Sequence, residues 1–130
     1  VILNDAYNAN PASTAMALKT LGAFNTSRKT IAILGDMLEL GENEARYHEQ
    51  IGELCAHLGI HLLCLIGSNR KATRQGAIQA GLDAGKIFFF EDADRLISIL
   101  GPYLEQDPVI LVKGSFALNM KQWIQALLGY

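Results

Sequence analysis

The sequence predicts an α/β fold: a three-layer, Rossmann-like, doubly wound and mostly parallel sheet, with helices on both faces. Three observations predict it. Five short apolar runs rich in β-branched and aromatic residues recur along the chain, at Val1–Leu3, Ile31–Leu34, Leu62–Ile66, Ile87–Phe90 and Val109–Val112. None alternates cleanly between polar and apolar, which suits strands buried on both faces. Segments of helical period lie between them, and strand–helix alternation with short connections favours parallel strands joined by right-handed crossovers.

The first run breaks into "NDAYNANP". Asn10 and Pro11 read as an N-cap followed by proline at the first helical position, where its missing N–H costs nothing. Thr14, Ala17, Leu18 and Leu21 then follow the i, i+3, i+4, i+7 rule. After the second strand the same rule places Ile51, Leu54, Cys55 and Leu58 on one helical face. Arg70–Ala80 follows the third strand, and Gly76 sits in its middle, where glycine weakens a helix. Leu96, Ile99, Leu100 and Tyr103 mark the helix after the fourth strand, and Met120, Trp123, Ile124 and Leu127 the one after the fifth. Gly22, Gly59, Gly81 and Gly101 fall near expected helix ends, where a left-handed residue is favoured. No repeat, low-complexity tract or linker interrupts the pattern, so residues 1–130 are expected to form one domain. The start directly in a strand pattern suggests a piece of a longer protein.

Composition narrows the function classes. At 130 residues the chain can bury roughly two-thirds of the surface its unfolded form exposes. Half of it is hydrophobic and 18% charged, as in a packed globule. A formal net charge of −2 argues against an electrostatic nucleic-acid or anionic-membrane surface. Cys55 and Cys64 lie in apolar runs without CxxC spacing and read as small buried hydrophobes in a reducing compartment. Neither a leader pattern nor an apolar run near 18 residues occurs. His57 and His61 share i, i+4 spacing, but Gly59 between them is expected to end the helix, which disfavours a zinc pair. "LGDMLELG" is not GxGxxG, "VKGS" is not a Walker A loop, and no nucleophile elbow occurs.

The polar residues gather where an open α/β sheet binds ligands, beyond the carboxyl ends of its strands. Asn4, Asp5, Tyr7, Asn8 and Asn10 follow the first run, and Gly35, Asp36 and Glu39 the second. Gly67, Ser68 and Asn69 follow the third, Glu91 and Asp92 the fourth, and Lys113, Gly114 and Ser115 the fifth. Turn residues of this kind also cap helices and form Asx turns, which is the expected role of Asn69, Glu91 and Asp92. Lys113 ends an apolar strand, where its ammonium would project over the sheet edge; a solvated lysine fits that spacing equally well. The chemistry alone implies a polar crevice suited to a nucleotide or small molecule.

The motifs "DAYNANP", "ILGDMLELGENEARYHEQIG" and "ILVKGS", in this order and spacing, resemble the C-terminal domain of the Mur ligase family. The resemblance runs from Asp5 to the last helix. Within the family, "LGDMLELG" followed by "HEQIG" resembles the branch whose incoming substrate is D-Ala-D-Ala. The resemblance implies a cytoplasmic step of bacterial cell-wall synthesis. There, an ATP-dependent ligase with Mg2+ activates the carboxylate of UDP-N-acetylmuramoyl-tripeptide as an acyl phosphate, which the dipeptide amine attacks. It implies that Asp5, Asn8 and Asn10 serve the nucleotide, and that Tyr7, Lys113, Gly114 and Ser115 border the substrate pocket. Asp36, Glu39 and His48 belong to the matched motif without an implied atomic role. Magnesium ligands and the phosphate loop are expected in a central domain, so this chain alone is expected to be inactive. The resemblance also leads to the expectation of an arginine and a further strand upstream of "DAYNANP", before the point where this sequence starts. Phe116 stands where relatives often carry a basic residue after "KGS". A sibling Mur or folylpolyglutamate-type ligase is the alternative within the superfamily, disfavoured by "YNAN" and "GDMLELG". A stand-alone Rossmann-like module is the alternative outside it, disfavoured by the absent GxGxxG.

Overall fold

The computed structural model describes residues 2–5, of which 4 and 5 by backbone alone, and residues 10–114. Val1 and the helix expected around Met120–Leu127 lie outside them. Strands β1 (Ile2–Asp5), β2 (Thr30–Leu34), β3 (Leu62–Leu65), β4 (Ile87–Phe89) and β5 (Val109–Lys113) match the five apolar runs to within a residue or two at either end. Helices α1 (Pro11–Gly22), α2 (Glu44–His57), α3 (Arg70–Gln79) and α4 (Ala93–Leu104) fill the intervals, with short 3-10 turns at Gly41–Asn43 and Ala84–Lys86.

The strands form a single sheet in the order β1-β5-β2-β3-β4, with every described pairing parallel. Connections β1–β2, β2–β3 and β3–β4 all step in one direction, and α1, α2 and α3 all pack on one face. The β4–β5 connection steps back across the sheet, and α4 lies on the other face. A right-handed crossover that reverses direction must change face, so the topology dictates the third layer.

Alternate strand residues supply the two cores. Ile31, Ile33, Leu62, Cys64, Ile110 and Val112 face α4, which contributes Leu96, Ile99 and Leu100. Ala32, Leu34, Leu63, Leu65 and Leu111 face the other way, against Leu18 and Leu21 of α1, Ile51 and Cys55 of α2 and Ala77 of α3. Both faces being apolar explains why these strands read as continuous runs. Every residue of β2, β3 and β5 is buried, whereas β4, at the sheet edge, is only partly so. Burial pushes the thiols of Cys55 and Cys64 up to about 12, as inert core groups.

The helix ends follow the expected punctuation in part. Asn10 caps α1 by accepting the Ser13 N–H at 2.9 Å, and Ser13 Oγ returns the bond to the Asn10 N–H. Asp92 caps α4 through the Arg95 N–H at 2.8 Å. Gly59 and Gly81 follow α2 and α3 in left-handed conformation. Gly22 and Gly101 depart from expectation. Gly22 is not left-handed, and the Leu58 side chain lies 3.3 Å from where its Cβ would stand. The α4 helix runs through Gly101 and Pro102 to Leu104, with Pro102 removing one backbone donor from its last turn. Among the described residues, no helix is long and apolar enough to cross a membrane.

Candidate functional site at the carboxyl rim

Parallel strands deliver their carboxyl ends to one edge, and three neighbours, β1, β5 and β2, meet there. Asp5 is the register partner of Lys113, and Lys113 is in turn the partner of Leu34. The two motifs most distant in sequence therefore end side by side. Beyond them the Gly35 N–H donates to the Lys113 carbonyl at 2.9 Å. A Cβ on Gly114 would stand 3.0 Å from the Gly35 Cα, so the glycines let the tips of β2 and β5 touch.

Lys113 departs from the sequence expectation. Its residue is only 2% exposed, so it does not lie in solvent. It ends an interior strand, paired through its backbone with Asp5 on one side and Leu34 on the other. Burial to this degree calls for anionic or hydrogen-bonding company. Gly114 is buried beside it, and Asn10 is exposed at the head of α1. Tyr7, Asn8 and Ser115 lie outside the described residues.

The rim also contains a polar residue that sequence reasoning counted only as part of a helical face. Thr14, in the opening turns of α1, is 3% exposed, and its Oγ1 has no hydrogen-bond partner among the described residues. A threonine in an otherwise apolar i, i+3, i+4 set was the only available signal.

Two of the remaining motif residues, Asp36 and His48, hold loops in place. Asp36 is 3% exposed; its Oδ2 accepts from the Ser68 N–H and Oγ, each at 2.9 Å, and its Oδ1 from the Asn69 N–H at 3.0 Å. The carboxylate thereby ties the loop after β2 to the loop after β3. Gly67 makes this possible: its φ is +107°, and a Cβ there would stand 2.4 Å from Asp36 Oδ1.

His48, on α2, fixes the same loop from the other side. Its Nε2 accepts the Met37 N–H at 3.0 Å, and its Nδ1 lies 2.8 Å from the Glu44 carbonyl oxygen. A carbonyl only accepts, so Nδ1 carries the proton and the ring is neutral. The 4.0 Å approach of Nε2 to Asp36 Oδ1 is therefore not an ion pair. Glu39 is exposed on this loop with φ of 61°. Both Asp36 oxygens are already taken up by the Ser68 and Asn69 donors, and among the described residues no three His, Cys, Asp or Glu side chains gather around one point.

The chain's relatives agree with this architecture. The family model described as Mur ligase, glutamate ligase domain matches residues 1–116. The chain is 31% identical over 145 residues to the UDP-N-acetylmuramoyl-tripeptide--D-alanyl-D-alanine ligase of Mycobacterium bovis, covering 98% of this chain and 28% of that protein. It is 34% identical over 121 residues to the ligase of the same name from Rickettsia prowazekii, covering 92% of this chain and 25% of that one. It thus spans little more than a quarter of its relatives' length. Among solved structures, MurF from Acinetobacter baumannii superposes with a TM-score of 0.80 at 24% identity, over 99% of this chain and 28% of that one. MurF from Thermotoga maritima in complex with ADP gives 0.76 at 22% identity, over 96% and 27%. These likenesses establish the fold, and with the family match over residues 1–116 the chain belongs to the Mur ligase family, carrying its glutamate ligase domain.

Proposed function

We propose that this is one domain of a longer cytoplasmic ligase that adds D-Ala-D-Ala to UDP-N-acetylmuramoyl-tripeptide in peptidoglycan precursor synthesis, closing over the nucleotide and the incoming dipeptide. The names of its relatives support the reaction, and the ADP held by the Thermotoga maritima protein supports ATP as the nucleotide. The observation that carries the proposal is the register of Asp5 with Lys113 at the carboxyl rim, where such folds bind ligands.

In this reading Asp5, Asn8 and Asn10 receive the nucleotide, and Tyr7, Lys113, Gly114 and Ser115 border the incoming substrate. The γ-phosphoryl group passes to the tripeptide carboxylate with ADP leaving, and the dipeptide amine then displaces phosphate to form the amide. Both steps place negative charge on oxygens, and both require water to be excluded. A lysine held at a fixed strand tip offsets such charge without reorganising, while neutral asparagines read ribose and base without repelling phosphate. Closure of an α/β lid excludes the water. Mg2+ neutralises the nucleotide's phosphates in reactions of this class. In this reading its protein ligands come from another domain of the longer ligase.

The test is steady-state kinetics on the full-length ligase carrying Asp5→Asn or Lys113→Met. Each variant is expected to lower kcat/KM for ATP or for D-Ala-D-Ala by roughly tenfold or more, the effect of about 1.4 kcal/mol. Unchanged kcat/KM for both substrates in both variants would overturn the assignment. The 130-residue chain alone is expected to turn over neither substrate.

A further inference from the structure

The amino edge of the sheet, opposite the rim, gathers several basic residues, with Asp107 ahead of β5 among them. Lys29, His61 and Lys86 each stand immediately before a strand, namely β2, β3 and β4, and Arg28 precedes Lys29. Because the strands are parallel, all four arrive at the same edge. Asn25, Ser27, Arg28, Lys29, His61 and Gln106 line a cleft of about 290 Å³ there.

Hydrogen bonds define what this cleft offers. His61 Nδ1 accepts the Thr30 N–H at 3.0 Å, so in the neutral ring the proton sits on Nε2, the nitrogen away from Thr30. A half-buried imidazole lining the cleft thus serves as a donor without carrying charge. Arg28 is held in place by Asp107: Nη2 lies 2.8 Å from Oδ1, and Nε donates to the carbonyl at 2.9 Å. Asp107 meets part of that guanidinium's charge and is itself largely exposed. Among the described residues no carboxylate pairs with Lys29. Burial first, and then the positive charges of Lys29 and Lys86, push the His61 pKa down and so favour the neutral ring.

We propose that this cleft binds a small oxyanion of the phosphate or sulfate kind. An ammonium point charge, a fixed guanidinium and a neutral N–H donor together supply both attraction and direction. The cleft is open to solvent and larger than such an anion, at about 290 Å³, so the charged and N–H groups rather than enclosing walls would hold it. An anion there would meet the Lys29 ammonium, with which no carboxylate among the described residues pairs. The site lies on the edge opposite Asp5 and Lys113, so it does not depend on the function proposed for the rim.

The test is an NMR titration of the 130-residue chain with sodium phosphate, ionic strength being held constant with chloride. The amides of Arg28 and Lys29 and the imidazole of His61 are followed, with His48 and His57 as internal controls. Saturable shifts at Arg28, Lys29 and His61, absent from His48 and His57, are the expected result. Lys29→Gln, an exposed position, should weaken the midpoint at least about fivefold, the effect of removing roughly 1 kcal/mol of attraction. Sodium sulfate should reproduce the pattern. Shifts that stay linear in phosphate, that appear equally at the control histidines, or that saturate identically in Lys29→Gln would each overturn the site.

Discussion

Gly52 of α2 and Gly76 of α3 meet backbone to backbone: a Cβ on Gly76 would stand 2.0 Å from the Glu49 carbonyl oxygen, and one on Gly52 1.9 Å from that of Thr73. Both contacts are with main-chain atoms, which cannot turn aside. In an exposed helix Gly→Ala gains about 1 kcal/mol. Here the crossing dictates the opposite sign. Gly76→Ala is expected to destabilise by about 1–3 kcal/mol in urea unfolding, and a neutral or stabilising outcome would contradict the close approach.

Asp36 gives a second prediction. Its carboxylate accepts from the Ser68 N–H, the Ser68 hydroxyl and the Asn69 N–H. Asn in its place would turn an amide NH2 toward one of these donors. Asp36→Asn is expected to cost about 2 kcal/mol of stability. Hydrogen exchange at the Ser68 and Asn69 amides should quicken by more than the global loss accounts for. Exchange at those amides matching the parent's would mean that the carboxylate does not hold the loop.

The protonation of His48 is a third. A neutral histidine whose Nδ1 faces the Glu44 carbonyl and whose Nε2 accepts the Met37 N–H must be the Nδ1–H tautomer. Nitrogen-15 spectra of the imidazole near neutral pH should show Nδ1 protonated and Nε2 bare. An Nε2–H ring would remove the bond that holds the loop to α2.

Much of the fold was legible in the sequence because the strands are buried on both faces. Thr30–Leu34 and Val109–Lys113 have no solvent side to imprint an alternating pattern, so their apolar runs stand out. Strand order was not legible. Nothing local in Ile2–Asp5 records that its partner is Val109–Lys113, far along the chain. The burial of Lys113 was hidden as well, since it depends on what packs around the strand tip and not on the local run. Gly76 read as a weakness in α3, and only the crossing with α2 shows why it is needed. Asp36 stood out as a motif residue, but its partners, Ser68 and Asn69, lie more than 30 positions away.

His61 ties stability to pH. Burial, then Lys29 and Lys86, lower its pKa in the folded chain. The unfolded chain, whose histidine titrates near the usual ~6.5, then binds more protons through the window below that value. Stability should therefore fall as pH drops through the ordinary histidine range, and level off for this group only below the depressed folded pKa. In His61→Gln, urea unfolding midpoints between neutral and mildly acidic pH should lose that part of the slope. A slope unchanged by the substitution would mean that His61 is not the linked group.

The rim itself is tested most directly by following the backbone amides of the 130-residue chain while MgATP and then D-Ala-D-Ala are added. Saturable shifts concentrated at Asp5, Asn10, Lys113 and Gly114, the tips of β1 and β5 and the head of α1, are the predicted result. Shifts confined to the outer faces of α2, α3 and α4, with Asp5 and Lys113 unmoved at saturating ligand, would contradict it.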